Sequence, residues 1–82
     1  MRIYSLFDKK ALSYGPVMAF PNDVMAIRAI EMEMNNAKSV VASYPSDFAL
    51  MHLGDYDESK GVLSPLPCPL NVYECASYFS KE

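Results

Sequence analysis

Eighty-two residues, 51% of them hydrophobic and with a formal charge of −3, make one small domain, and a chain of this size buries only a little over ~60% of the surface its unfolded form exposes. A core that thin seldom supplies more than about 3–5 kcal/mol, so small domains often add disulfides, a metal or a partner subunit. The charge balance counts against tight non-specific binding of duplex DNA, which usually shows a marked basic excess.

The cysteines argue against the first two supports. Cys68 and Cys75, with six residues between them, are not the close pairs of zinc ribbons or redox motifs, and His52 is the single histidine. No metal site and no cofactor are expected; the thiols read as reduced, packed side chains. The apolar content points instead to a homo-oligomer, a dimer or higher. The N-terminus lacks the pattern of a signal peptide, and no apolar run approaches the ~18 residues of a membrane span. Charge is uneven: residues 1 to 41 carry a net +1 and residues 42 to 82 a net −4.

In chain order, IYSLFD (residues 3 to 8) is the first strand. Ile3, Tyr4, Leu6 and Phe7 leave only Ser5 as a polar interruption, so this strand is expected to be covered on both sides for part of its length. KKALSYGP reads as a connection, because Gly15 followed by Pro16 is strong punctuation, and VMAF at 17 to 20 suits a second strand.

The main helix is expected over about 22–37. Asn22 can cap it, Asp23 suits its positive end, and DVMAIRAIEMEMNNAK has no glycine or proline. Ala26, Ile27, Ile30, Met34 and Ala37 share a stripe that should lie on the sheet. A second stripe, Met25, Ala29 and Met32, needs another partner: either the C-terminal tail or a neighbouring subunit, to which flexible methionines adapt.

SVVASYP offers a brief apolar run suited to a short strand. From Phe48 the pattern alternates, with Phe48, Leu50, His52 and Tyr56 on one face and Ala49, Met51 and Leu53 on the other. Gly54 marks a bulge or close backbone approach, and DESKG is a hairpin loop with Gly61 in a left-handed conformation. Asp55, Asp57 and Glu58 suggest a cation loop, but an EF-hand needs twelve residues ending in glutamate, so they read as solvated turn carboxylates. The tail from Ser64 has Pro65, Pro67 and Pro69 at alternate positions. It reads as an extended strap followed by a short helix capped by Asn71, with Val72, Cys75, Ala76 and Phe79 on one stripe.

The fold class is therefore α+β: a small antiparallel sheet of about four strands, the main helix on one face, a domain over 1–63 and a proline-rich strap over 64–82. No catalytic residues are assigned. The chain has no glycine-rich phosphate loop, no G-x-S-x-G and no second histidine, and nothing in the spacing of Cys68, Cys75 and His52 places a nucleophile beside a base.

Two blocks carry a family resemblance: the opening MRIYSLFDKKA with Tyr14 and Pro16 following, and YPSDFALMHLGDYDESKGVL, with AIRAIE between them. They follow a pattern that begins M-K/R-x-Y-S-I/L-F/Y-D and later runs P-x-D-F/Y-x-L-x-x-L-G-x-F/Y-D-x-x-x-G. Over residues 1 to 63 the chain resembles the small non-structural protein of gokushovirus-type microviruses, phages with circular single-stranded DNA genomes. The resemblance implies a protein made during infection, absent from the mature capsid, acting in the host cytoplasm, associated with replication and packaging of single-stranded genomes and described as DNA-binding. No catalytic residues come with it.

Two functional expectations follow. In the first, single-stranded DNA is bound by Arg2, Lys9, Lys10, Arg28 and Lys38 at phosphates, with Tyr4, Tyr14 and Phe20 as stacking surfaces; each of these residues also reads as a core aromatic or a solvated lysine. In the second, a dimeric adaptor binds a viral replication or capsid protein, or a host factor, through Met25, Ala29 and Met32 or through an exposed strand edge.

Overall fold

A computed structural model describes residues 1–80 of the chain. Its elements in order are β1 (Arg2–Asp8), β2 (Ser13–Tyr14), β3 (Met18–Phe20), α1 (Asp23–Met34), α2 (Val40–Ser43), β4 (Phe48–Asp57) and β5 (Val62–Glu74), with 3₁₀ turns at Pro45–Asp47 and Cys75–Ser80. The fold is α+β, with one antiparallel sheet of five strands and one main helix. β1 lies inside the sheet. β4 pairs along one side of it, and β2 and β3 share the other, β2 against Phe7 and Asp8 and β3 against Arg2 to Tyr4. β5 pairs with β4 and forms the remaining edge.

The strand beyond the expected four is β2, which takes up part of the KKALSYGP connection. Asp8 Oδ1 accepts from the backbone N–H groups of Lys10 and Ala11 at 3.0 and 3.1 Å, which folds the chain back so that Tyr14 pairs with Phe7.

Helix α1 begins where its cap chemistry predicts: Asn22 Oδ1 accepts from the Met25 N–H at 3.0 Å. It ends at Met34, three residues short of the expected 37. Asn36 Oδ1 accepts the Lys38 N–H at 3.1 Å, and such local side-chain bonds compete with helical ones; Ala37 therefore lies outside the helix and is exposed. Ala26, Ile30 and Met34 are buried in one cluster with Tyr4, Leu50 and Cys75. Leu6, Met18, Phe20 and Phe48 pack against that cluster, and the register places them on the same side of the sheet as Tyr4 and Leu50.

Two expected elements differ. The run after the helix is a short helix and not a strand, because Ser39 Oγ accepts the Val41 N–H at 3.2 Å and caps it, while Pro45 ends it. The proline-rich tail is not a separate strap: residues 62 to 74 form β5, so the boundary drawn at 63/64 falls inside a strand. Proline removes a ladder donor and is tolerated on an edge strand, and β5 is one. Its pairing slips between Pro65 (opposite Gly54) and Leu70 (opposite His52), so that Leu66 to Pro69 oppose Leu53 alone. Asn71 does not cap a helix; it pairs with Met51, and the terminal 3₁₀ helix starts at Cys75.

The β4–β5 hairpin closes as its turn residues predict. Gly61 has φ +66°, its N–H reaches Asp57 O at 2.7 Å, and Asp57 Oδ1 accepts from the Ser59 N–H and hydroxyl at 3.0 and 2.7 Å. Gly54 marks a close approach: a Cβ there would lie 2.6 Å from Ser64 O and 2.9 Å from Pro65 Cα. Among the described residues no helix is long and apolar enough to cross a membrane.

Candidate nucleic-acid interface

Alternation along β1 sends Tyr4 and Leu6 to the core side and Ile3, Ser5 and Phe7 to the opposite side. The register extends that second side into rows across the sheet. Tyr14, Phe7, Ala49 and Glu74 form one row; Ser5, Met51 and Asn71 the next; Ala19, Ile3, Gly54 and Pro65 another. Ile3, Phe7 and Met51 pack against no part of the core cluster. Among the described residues the helical side chains of that cluster meet the sheet on the Tyr4 side only. That second side is nevertheless covered for part of its length, as expected: Ser5 is 0% exposed with its hydroxyl on Gly15 O at 2.8 Å, and Ala49 is 1% exposed.

Phe7 and Tyr14 form a cross-strand aromatic pair, ring centroids 4.7 Å apart and planes inclined by 44°, and Tyr14 is 46% exposed. Lys9 continues the alternation of Ile3, Ser5 and Phe7. Its Nζ donates to Glu74 Oε1, and more weakly to Ser46 O at 3.4 Å. Asn71 Nδ2 donates to the other carboxylate oxygen of Glu74 at 2.6 Å. The Lys9 bond, seconded by Asn71, holds the Glu74 carboxyl below its ordinary value against the opposing effect of partial burial. Glu74 is thus an anionic acceptor, with its side chain 40% exposed. Lys10 is exposed in the following turn and makes no ion pair among the described residues. Farther along, Ile3, Leu53, Leu63 and Pro65 line an open apolar recess of about 340 Å³.

Of the residues singled out in the sequence, Lys9, Lys10 and Tyr14 come together here. Arg2 does not: it lies at the other end of β1, ~20 Å away at ~3.3 Å per residue, and its Nη1 donates to Asp23 Oδ1 at 3.0 Å. Tyr4 is overturned as a stacking residue. It is 0% exposed, its hydroxyl donates to Asp23 Oδ1 at 2.6 Å, and its ring packs at 5.9 Å from Phe20 and 5.5 Å from His52. Phe20 is half-buried against it. Arg28 projects from α1, and Lys38 follows that helix, both exposed and apart from the aromatic pair. The residue that sequence reasoning missed is Phe7. Its signal was its parity with Lys9, which puts both on the side opposite Tyr4.

His52 Nε2 faces Gly54 O at 2.9 Å, so it acts as the donor, with Asp55 Oδ1 at 3.4 Å. Among the described residues no three His, Cys, Asp or Glu side chains converge as metal ligands. Cys75 is buried and its thiol is pushed up to about 11, mainly by burial, while Cys68 is exposed. On α1, Met25 is 43% and Met32 74% exposed, with Ala29 half-buried between them.

Comparison with known proteins adds what the geometry cannot. The family described as Phage ORF5 protein matches residues 1–78. Protein ORF5 of Chlamydia phage 1 is 32% identical over 71 residues, covering 80% of this chain and 73% of that protein. No solved structure matches the chain. The match reaches past residue 63 and includes the C-terminal strand that the resemblance in the sequence left out. The chain belongs to the Phage ORF5 protein family.

Proposed function

We propose that the protein is a non-enzymatic phage accessory that binds single-stranded DNA through the side of its sheet away from α1, in the replication or packaging of the genome within the host cytoplasm. The observation that carries this reading is the Phe7–Tyr14 pair on that side, with Lys9 and Lys10 at its end. Bases of any sequence can stack on such a pair, at about 1–3 kcal/mol per base, while the lysines meet phosphates. Duplex DNA, with its bases already stacked, gains nothing from the aromatic rings.

Few cations share the surface, so the salt dependence should be shallow. Two phosphate contacts give a slope of about −1.4 in log K against log salt for a single strand. Fluorescence anisotropy with a labelled single-stranded oligonucleotide across a salt series tests this. Loss of affinity in Tyr14→Ala and Phe7→Ala supports the reading, and absence of binding at low salt overturns it.

A second reading, a dimeric adaptor for a viral replication or capsid protein or a host factor, is favoured by the exposure of Met25 and Met32 on α1. The two readings use different surfaces and are compatible.

A further inference from the structure

Resting on the single-strand reading above, we infer that Leu12 is a further contact to DNA, an apolar wedge that enters between neighbouring bases beside the Tyr14 ring. Among the described residues Leu12 has the only positive φ outside glycine, +55°, and it is the most exposed of the large apolar side chains, at 77%. Exposure of a single leucine is ordinary. Its conjunction with a left-handed backbone is not, because a Cβ is strained there and turns place glycine or asparagine at such positions. Leu12 is thus unfavourable twice, in backbone and in hydration, and residues held in strained backbone cluster at binding sites.

The setting says what the side chain meets. The turn is firmly built: Asp8 Oδ1 accepts from the Lys10 and Ala11 N–H groups, Ser13 pairs with Asp8 and Tyr14 with Phe7, and the Gly15 N–H donates to Leu6 O at 2.9 Å. Leu12 is therefore presented at a fixed place, two residues from Tyr14, or ~7 Å of extended chain, and two residues from Lys10. Phosphate contact, apolar wedge and stacking ring follow one another along residues 10, 12 and 14. Apolar side chains wedged between base steps are a general device of DNA-binding proteins, and a single strand, whose bases are unpaired, admits one more easily than a duplex does. The cationic neighbours Lys9 and Lys10 favour a polyanion over an apolar protein surface as the occupant of this tip.

Anisotropy with a labelled single-stranded oligonucleotide, paired with urea unfolding, tests this in Leu12→Asn and Leu12→Gly, both of which accept the left-handed backbone. Each variant should unfold at a higher urea concentration than the wild type while binding the strand about five- to tenfold more weakly, the loss expected when about half of a leucine side chain is no longer buried. Leu12→Met should keep the wild-type affinity. Variants that are more stable and bind as tightly as the wild type overturn the inference and leave single-strand binding intact; the exposed tip would then serve a protein partner. Loss of affinity together with loss of stability also overturns it, because Leu12 would then be a structural residue of the turn. No binding of any single strand by the wild type removes the underlying reading, and this inference with it.

Discussion

Tyr4 and Asp23 tie the first strand to the start of the main helix, and their ionisation sets stability at both ends of the pH scale. Burial first, then the bond to Asp23, raises the Tyr4 phenol from its ordinary value of 10.0 to about 12. A group raised on folding contributes fully below its unfolded value and loses that contribution as pH climbs through the folded one. The urea midpoint should therefore fall between pH 10 and 12, and in Tyr4→Phe that decline should be absent. The Asp23 carboxyl is lowered from 3.8, chiefly by the Tyr4 hydroxyl and then by Arg2, with burial opposing. Its contribution is present above 3.8 and disappears as pH falls below it. The thiols differ as sharply. Cys75 is 0% exposed with a raised thiol, and a thiolate is the reactive form. Native protein should take up one equivalent of a thiol reagent, Cys68→Ser almost none, and unfolded protein both.

At the level of elements, β4 and β5 approach each other closely at Gly54. Any side chain at position 54 meets backbone atoms of Ser64 and Pro65, which cannot withdraw as a flexible side chain would. Gly54→Ala should cost about 1–3 kcal/mol in denaturant unfolding, the usual range for overpacking. Gly61→Ala should cost about 1–2 kcal/mol for a different reason, its positive φ with open space around it. Both glycines were legible in the sequence, as were the cap at Asn22 and the alternation of β4, because each follows from chemistry within a few residues. What stayed hidden depends on distant neighbours. Nothing local says that the prolines of β5 lie on an edge, where a missing donor is harmless, or that Ser39 outweighs the β-branched pair Val40 and Val41. The candidate site followed the same division. Lys9, Lys10 and Tyr14 could be chosen by residue type, but Tyr4 was separated from Phe7 only by knowing which parity of β1 meets the helix.

The whole molecule is elongated, 39 × 24 × 22 Å. The hairpin carries Asp55, Asp57 and Glu58, and the first of these pairs with Arg2, at the end of β1 away from Lys9. A phosphate backbone is repelled at that end, so a bound strand is expected to cross near Lys9 and Lys10. That leaves the outer flank of α1 free for self-association. Sedimentation velocity should show a dimer for the wild type and a monomer for Met32→Lys, which places a charge at the most exposed of the three stripe residues. A monomeric wild type at high concentration would remove the methionine stripe as a contact between copies.

Neither rim of the sheet offers a continuous row of unpaired backbone groups. One is divided between β2 and β3, two and three residues long, and the other bears Pro65, Pro67 and Pro69. Cross-β stacking needs a flat, uninterrupted template. The chain is thereby kept from polymerising into fibrils, even with half its residues apolar.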